Sequence, residues 1–213
     1  MRVLFVATLH HPEQLQRDIA ATLEGHTPPL FPTSASQHFW VKAMRQRGYT
    51  CEVFWRNLPA FGPQDPTRLR SQVHSERLTA AKVTGAVLRR LPTRANPDYR
   101  QRNARLIDHA RRFQPDLLWL VGDNTVIYPE TLKAIKQQTG CMIIYASGTS
   151  PIVFSHAIER DAARLYDWVL VNDYYHGIQW LELGAQHMAC LPIVAIDPEF
   201  HQPAALSDDE KTA

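Results

Sequence analysis

Six short apolar runs punctuate this chain: RVLFVAT (2–8), CEVFWR (51–56), DLLWLVG (116–122), CMIIYAS (141–147), WVLVN (168–172) and HMACLPIV (187–194). Several are apolar throughout rather than alternating, the pattern of strands covered on both faces. Between them the apolar positions recur at helical spacing. TSASQHFWVKAMRQRG (33–48) opens on the cap-type residues Thr33 and Ser34, stops at Gly48, and carries Phe39, Trp40, Ala43 and Met44 on one stripe. A long helix is expected after Pro66, with Ala80, Val83, Val87, Leu88 and Leu91 inward. Another runs from about Pro97 to Phe113, with Leu106, Ile107, Ala110 and Phe113 inward. PETLKAIKQQTG (129–140) has Pro in its first turn and Gly at its end. Phe154, Ala157, Ile158 and Leu165 mark the next helix, and Tyr174, Ile178 and Leu181 the last, ended by Gly184.

Strand alternating with helix predicts an α/β fold: a single Rossmann-like, doubly wound parallel sheet with right-handed crossovers. Ligands of such sheets lie outside the carboxyl ends of the strands, so the residues just after each strand carry the functional expectation. Two connections, 9–32 and 57–66, are longer than a plain link requires and read as functional loops.

With 213 residues, 45% of them hydrophobic, the chain can bury one substantial core or at most two small ones. No run approaches the ~20 apolar residues of a membrane-spanning helix. The start, MRVLFVATLHHPEQ, lacks a small-residue cleavage site and reads as a first strand rather than a signal peptide. Cys51, Cys141 and Cys190 are odd in number and each lies in an apolar run, which predicts buried free thiols in a reducing cytoplasm, with no disulfide and no metal site.

The net charge of +2 conceals an asymmetry. Residues 1–112 hold 18 Lys and Arg against 8 Asp and Glu, about +10; residues 113–213 hold 5 against 13, about −8. Eight arginines lie between Arg89 and Arg112. A solvated basic helix face accounts for them. The sharper alternative is that Arg89, Arg90, Arg94, Arg100, Arg102 and Arg105 form an exposed patch that docks on anionic membrane at the inner leaflet. No recognition motif or aromatic platform points to nucleic acid.

After the first strand comes LHHPEQLQRDIAATLEG, with no glycine before Gly25 and hence no G-x-G-x-x-G turn; nor is there a G-x-x-x-x-G-K-[ST] loop anywhere. The usual nicotinamide and flavin cofactors are thereby disfavoured, and no cofactor is expected. His10 and His11 stand at that strand end. Either can contact a phosphate or a sugar hydroxyl or act as a base, and either can equally face solvent. The later strand ends supply Asp123 and Asn124, then Ser147, Gly148, Thr149 and Ser150, then Asn172 and Asp173. Carboxylates and amides of this kind hold sugar hydroxyls. The same residue types cap helices and close turns, and Asn172 or Asp173 can simply cap the helix starting near Tyr174. Asp123 and His10 are the expected proton acceptors of a single cleft to which the others contribute binding groups.

Three stretches resemble the N-terminal domain of GT-B glycosyltransferases: FPTSASQHFWVKAMRQRGYTCEVFW, NARLIDHARRFQPDLLWLVGDN and, most specifically, YDWVLVNDYYHGIQWLELGAQHMACLPIVAIDPEFHQP. The last is similar to the end of that domain in glycosyltransferase family 4 and in the spore-maturation-protein-like glycosyltransferases, where a strand, a helix with LGA, another strand and a P…D…F.P segment lead into a second domain. The resemblance implies an acceptor-side domain over 1–195, a linker-like tail over 196–213, and a second domain absent from this sequence that carries most contacts to a nucleotide-sugar donor. The acceptor is not implied. The chain departs from family 4 in lacking the glycine-rich first loop, and has SGTS where the spore-maturation-like relatives are acid-rich. Without the resemblance, a non-catalytic Rossmann-like module binding a sugar, a nucleotide or a protein partner remains the alternative.

Overall fold

The computed structural model describes residues 1–8, 24, 35–57, 87–88 and 90–191, with the backbone alone for 35–38. Its elements run β1 (Arg2–Ala7), α1 (Ala35–Gln46), β2 (Thr50–Trp55), α2 (Pro97–Phe113), β3 (Leu117–Val121), α3 (Pro129–Thr139), β4 (Met142–Ser147), α4 (Ala157–Asp161), β5 (Trp168–Val171), α5 (Tyr174–Glu182) and β6 (His187–Cys190). Thr93–Ala95 and Ala163–Leu165 are single 3-10 turns. The strands form one sheet in the order β2-β1-β3-β4-β5-β6, and every neighbouring pair is parallel. All six carboxyl ends therefore reach one edge.

Alternate side chains of each strand enter different layers. Leu4, Val6, Leu118, Leu120, Ile143, Tyr145, Val169 and Val171 pack beneath Leu106, Ala110 and Phe113 of α2, Leu132 and Ile135 of α3 and Trp180 of α5. Val3, Phe5, Ala7, Cys51 and Leu117 pack on the other face against Val41 and Met44 of α1. On that face Trp40 stacks on Trp119, with ring centroids 5.7 Å apart. Helices on both faces explain why the strands read as apolar throughout.

Local sequence sets the helix ends. The Asn96 side chain accepts from the amides of Asp98 and Tyr99, and Pro97 occupies the first turn of α2, where its missing N–H costs nothing. Gly140 closes α3 in the left-handed region, at φ 68. Asp173 caps α5 by accepting from Tyr175 N at 2.7 Å.

Several inward positions differ from expectation. Tyr174, Ile178 and Leu181 are exposed, and α5 buries Gly177 and Trp180 instead. Gly177 dictates that choice: a Cβ there would lie 2.0 Å from Met188 Sδ and 3.2 Å from Val171 Cγ2, so the glycine face is the one that can reach the sheet. The helix expected from Phe154 starts at Ala157, lasts five residues, and leaves Phe154 71% exposed. Thr33, Ser34, Ala80 and Val83 lie outside the described residues. Val87 and Leu91 are exposed and Leu88 is half-buried, because the chain bends there: the Leu88 carbonyl accepts from Leu91 N and from Asn96 Nδ2. Cys51 and Cys141 are buried free thiols, but Cys190, at the end of the edge strand β6, is exposed.

The basic stretch is also less uniform than a patch. Arg90 and Arg100 are exposed, and Arg94 is exposed but paired with Glu130 at 2.8 Å. Arg102 and Arg105 turn inward. Arg102 pairs with Asp98, donates to the Arg56 carbonyl at 3.1 Å and lies over the Tyr99 ring. Arg105 lies over the Phe54 ring, and burial lowers its pKa. Arg89 falls outside the described residues. Among the described residues no helix is long and apolar enough to cross a membrane.

Candidate functional site

The carboxyl end of β3 is held by two buried ions. Arg56, the residue after β2, is 2% exposed. Its Nε donates to Thr8 Oγ1 at 2.9 Å, and its terminal nitrogens donate to the carbonyls of Val121, Gly122 and Asp123, the last at 2.9 Å. One guanidinium thus spans three consecutive carbonyls, which a lysine cannot do. Burial lowers its pKa, while Tyr145, Asp123, Glu159 and Tyr166 favour its charged form.

Glu159, on α4 and 1% exposed, holds the same loop from the other side. Its Oε1 accepts from the amide of Asn124 at 2.6 Å and from the Tyr145 hydroxyl; its Oε2 accepts from the amide of His156 at 2.8 Å. A carboxylate with three donors is the form in which a buried acid is tolerated. Tyr145 stacks on Tyr166 with centroids 4.6 Å apart. Burial raises both phenols well above the ordinary range, with Glu159 and, for Tyr145, Tyr166 adding to the effect.

Between these holds lies Asp123, at φ 63. The left-handed region is uncommon outside glycine, though aspartate tolerates it better than most residues. The turn projects the side chain outward, where Oδ1 lies 3.2 Å from Nε2 of His156, a residue 33 positions later in the chain. The Asp123 side chain is 78% exposed and that of His156 48%. An acid from the loop after β3 and an imidazole at the start of α4 therefore meet in solvent, on backbone that the interior fixes.

The other expected site residues divide into two groups. Asn124 is fully buried: its Oδ1 accepts from Val126 N and Ile127 N, and its Nδ2 donates to Ile127 O, so it shapes the turn. Ser147 is buried and donates to the Thr149 carbonyl. Ser150 is buried, donates to Gln179 Oε1 at 2.9 Å and receives the amides of Ile152 and Val153. Gly148, Thr149, Asn172 and Asp173 are exposed on the same edge, and a Cβ on Gly148 would lie 3.4 Å from Asn172 Nδ2. Asp173 is occupied by its capping bond. His10 and His11 lie outside the described residues. Among the described residues no group of three or more His, Cys, Asp or Glu is arranged to hold a metal ion.

Sequence reasoning missed Arg56, Glu159 and His156. Each had a signal. Arg56 ends an apolar strand, where a charge needs a partner. His156 precedes Glu159 by three residues, the spacing at which an N3 glutamate reaches back to the N-cap amide.

Beside His156 opens a cleft of about 360 Å³, walled by the first 3-10 turn, the loop before α3 and the start of α4. Thr93, Thr125, Tyr128, Pro129, Ile158 and Asp161 line it, with Arg94 at its rim. The Tyr128 hydroxyl closes one wall by donating to the Thr93 carbonyl at 2.7 Å.

No family model and no curated protein matches this chain. Among solved structures, a UDP-GlcNAc 2-epimerase from Neisseria meningitidis, crystallised with UDP-GlcNAc, aligns over 85% of this chain at 13% identity and a TM-score of 0.43. Alr3699/HepE from Anabaena, crystallised with UDP-glucose, aligns over 87% at 16% identity and a TM-score of 0.34. The chain spans less than half of either, 43% and 41% of their lengths.

Proposed function

We propose that this chain is the acceptor-side half of a two-domain GT-B glycosyltransferase, which moves a sugar from a nucleotide-sugar donor to an acceptor hydroxyl. The observation that carries the reading is the Asp123–His156 pair. It stands exposed on the connections that follow β3 and β4, at the edge where ligands of parallel sheets bind, and its backbone is held by Arg56 and Glu159. The sequence resemblance over 166–203 supplies the class of chemistry.

In this reading the acceptor hydroxyl approaches the free oxygen of Asp123. His156, with its proton on Nε2, donates to Oδ1 and keeps the carboxylate aimed. The acceptor O–H bond breaks and its proton passes to Asp123. The acceptor oxygen becomes bonded to the anomeric carbon, and the bond from that carbon to the diphosphate breaks, its electron pair leaving with the nucleotide. A second domain closing over this edge binds the donor and excludes water. The tail over 196–213 serves as the link to it.

The test is sugar transfer by the chain joined to, or mixed with, a donor-binding domain. In that assembly Asp123→Asn lowers kcat by about 10²–10⁴-fold, the usual worth of a positioned proton acceptor. Transfer unaffected by the substitution refutes the assignment. Sugar binding without transfer in any assembly favours a binding module instead.

A further inference from the structure

The geometry points to the cleft beside His156 as a binding site for a neutral carbohydrate, one or two hexose units of the acceptor. This inference rests on the glycosyltransferase reading and extends it to a substrate class. A sugar ring presents hydroxyls around its rim and C–H groups on its faces, so it fits a concave site with scattered hydroxyl and carboxylate partners over an apolar floor. The cleft has that composition. Thr93, Thr125 and Asp161 bring polar groups to its walls, while Pro129, Ile158 and the Tyr128 ring supply apolar surface. Its volume of about 360 Å³ lies at the small end of ligand pockets, suited to one or two rings and too small for a large glycan.

Charge narrows the class. Among the described residues two guanidiniums stand at the cleft: Arg94, in an exposed pair with Glu130 at 2.8 Å, and Arg100, which acts on the Tyr128 hydroxyl. Asp161 is exposed in the cleft, and Asp123 stands at its mouth through His156. A phosphate or carboxylate entering here meets, among the described residues, the three carboxylates of Glu130, Asp161 and Asp123 against two guanidiniums, whereas a neutral sugar finds acceptors for its hydroxyl protons. His156 belongs both to the cleft wall and to the Asp123 pair. A ring seated in the cleft thus has a hydroxyl within reach of the proposed proton acceptor.

The test is a two-dimensional amide NMR titration of the full chain with the methyl glycosides of glucose, galactose, mannose and N-acetylglucosamine, and with glucuronate and glucose 6-phosphate. At least one neutral glycoside shifts the amides of Thr125, Ile158 and Asp161, with millimolar affinity, and its anionic counterpart binds at least about tenfold more weakly. Ile158→Arg, which fills the cleft, abolishes those shifts. Asp161→Lys, at an exposed position that the fold tolerates, inverts the preference toward the anionic sugars. Absence of shifts at these amides with every neutral glycoside, or equal or tighter anionic binding in the native chain, overturns the inference. Persistence of the shifts in Ile158→Arg does so too. Donor turnover separates the two readings. Transfer to acceptors that never perturb the cleft overturns this inference alone; cleft binding by a completed assembly that transfers nothing upholds it and overturns the glycosyltransferase reading.

Discussion

Glu159 Oε1 lies 2.6 Å from the amide nitrogen of Asn124, 35 residues earlier in the chain, while its other oxygen takes the amide of His156. A single buried carboxylate therefore sets the spacing between the loop that carries Asp123 and the turn that carries His156. The backbone beneath the exposed pair at the sheet edge is positioned by this interior contact.

Replacing Glu159 by Leu leaves two backbone amides and the Tyr145 hydroxyl without their acceptor, and removes one of the negative charges that favour the buried Arg56 cation. The expected loss is about 3–5 kcal/mol of unfolding free energy, read from urea denaturation. A loss under about 1 kcal/mol shows that the loop is held by other contacts.

Arg56→Lys is expected to fall well short of rescuing Arg56→Met. The guanidinium reaches Thr8 and three successive carbonyls, and an ammonium cannot span that set. Both variants should lose about 2–5 kcal/mol in the same denaturation experiment. A fully stable Arg56→Lys contradicts the clamp.

Alkaline pH provides a third test. Burial raises the phenols of Tyr145 and Tyr166 well above their unfolded value near 10. Above that pH the unfolded chain releases these protons and the folded chain retains them, so stability falls as pH rises. The contribution is fully present below the unfolded pKa and is lost through the higher folded one. Ultraviolet titration should show tyrosinate forming in two stages, with the second coinciding with loss of tertiary structure. A single reversible stage including all seven tyrosines contradicts the buried stack.

Thiol chemistry tests the packing of the two faces independently. Burial raises the thiol pKa of Cys51 and Cys141, whereas Cys190 sits exposed on the edge strand β6. A disulfide reagent at neutral pH should titrate one thiol per folded chain rapidly and the remaining two only on unfolding. Three fast thiols contradict the burial of Cys51 and Cys141.

The strands were legible because doubly covered strands are apolar without interruption, and the carboxyl-edge location of Asp123 followed from parallel topology alone. What the sequence did not disclose was orientation. Tyr174, Ile178 and Leu181 form a plausible inward stripe, yet the close approach permitted by Gly177 turns another face of the helix to the sheet. Asn124 has the residue type of a ligand contact, but its side chain is consumed by the Val126 and Ile127 turn. His156 meets Asp123 only because β3 and β4 are neighbours with Val121 beside Ala146, a register that no local pattern encodes.

The most direct test of the central claim is a transfer assay on labelled nucleotide-sugars, comparing the native chain with Asp123→Asn and His156→Ala, each alone and each with a donor-binding domain supplied. The account predicts negligible transfer by the chain alone and transfer by the native two-domain assembly. It predicts a fall of about 10²–10⁴-fold in kcat for Asp123→Asn and a smaller fall for His156→Ala. Multiple turnovers by the chain alone, or undiminished transfer by Asp123→Asn in the assembly, would contradict it.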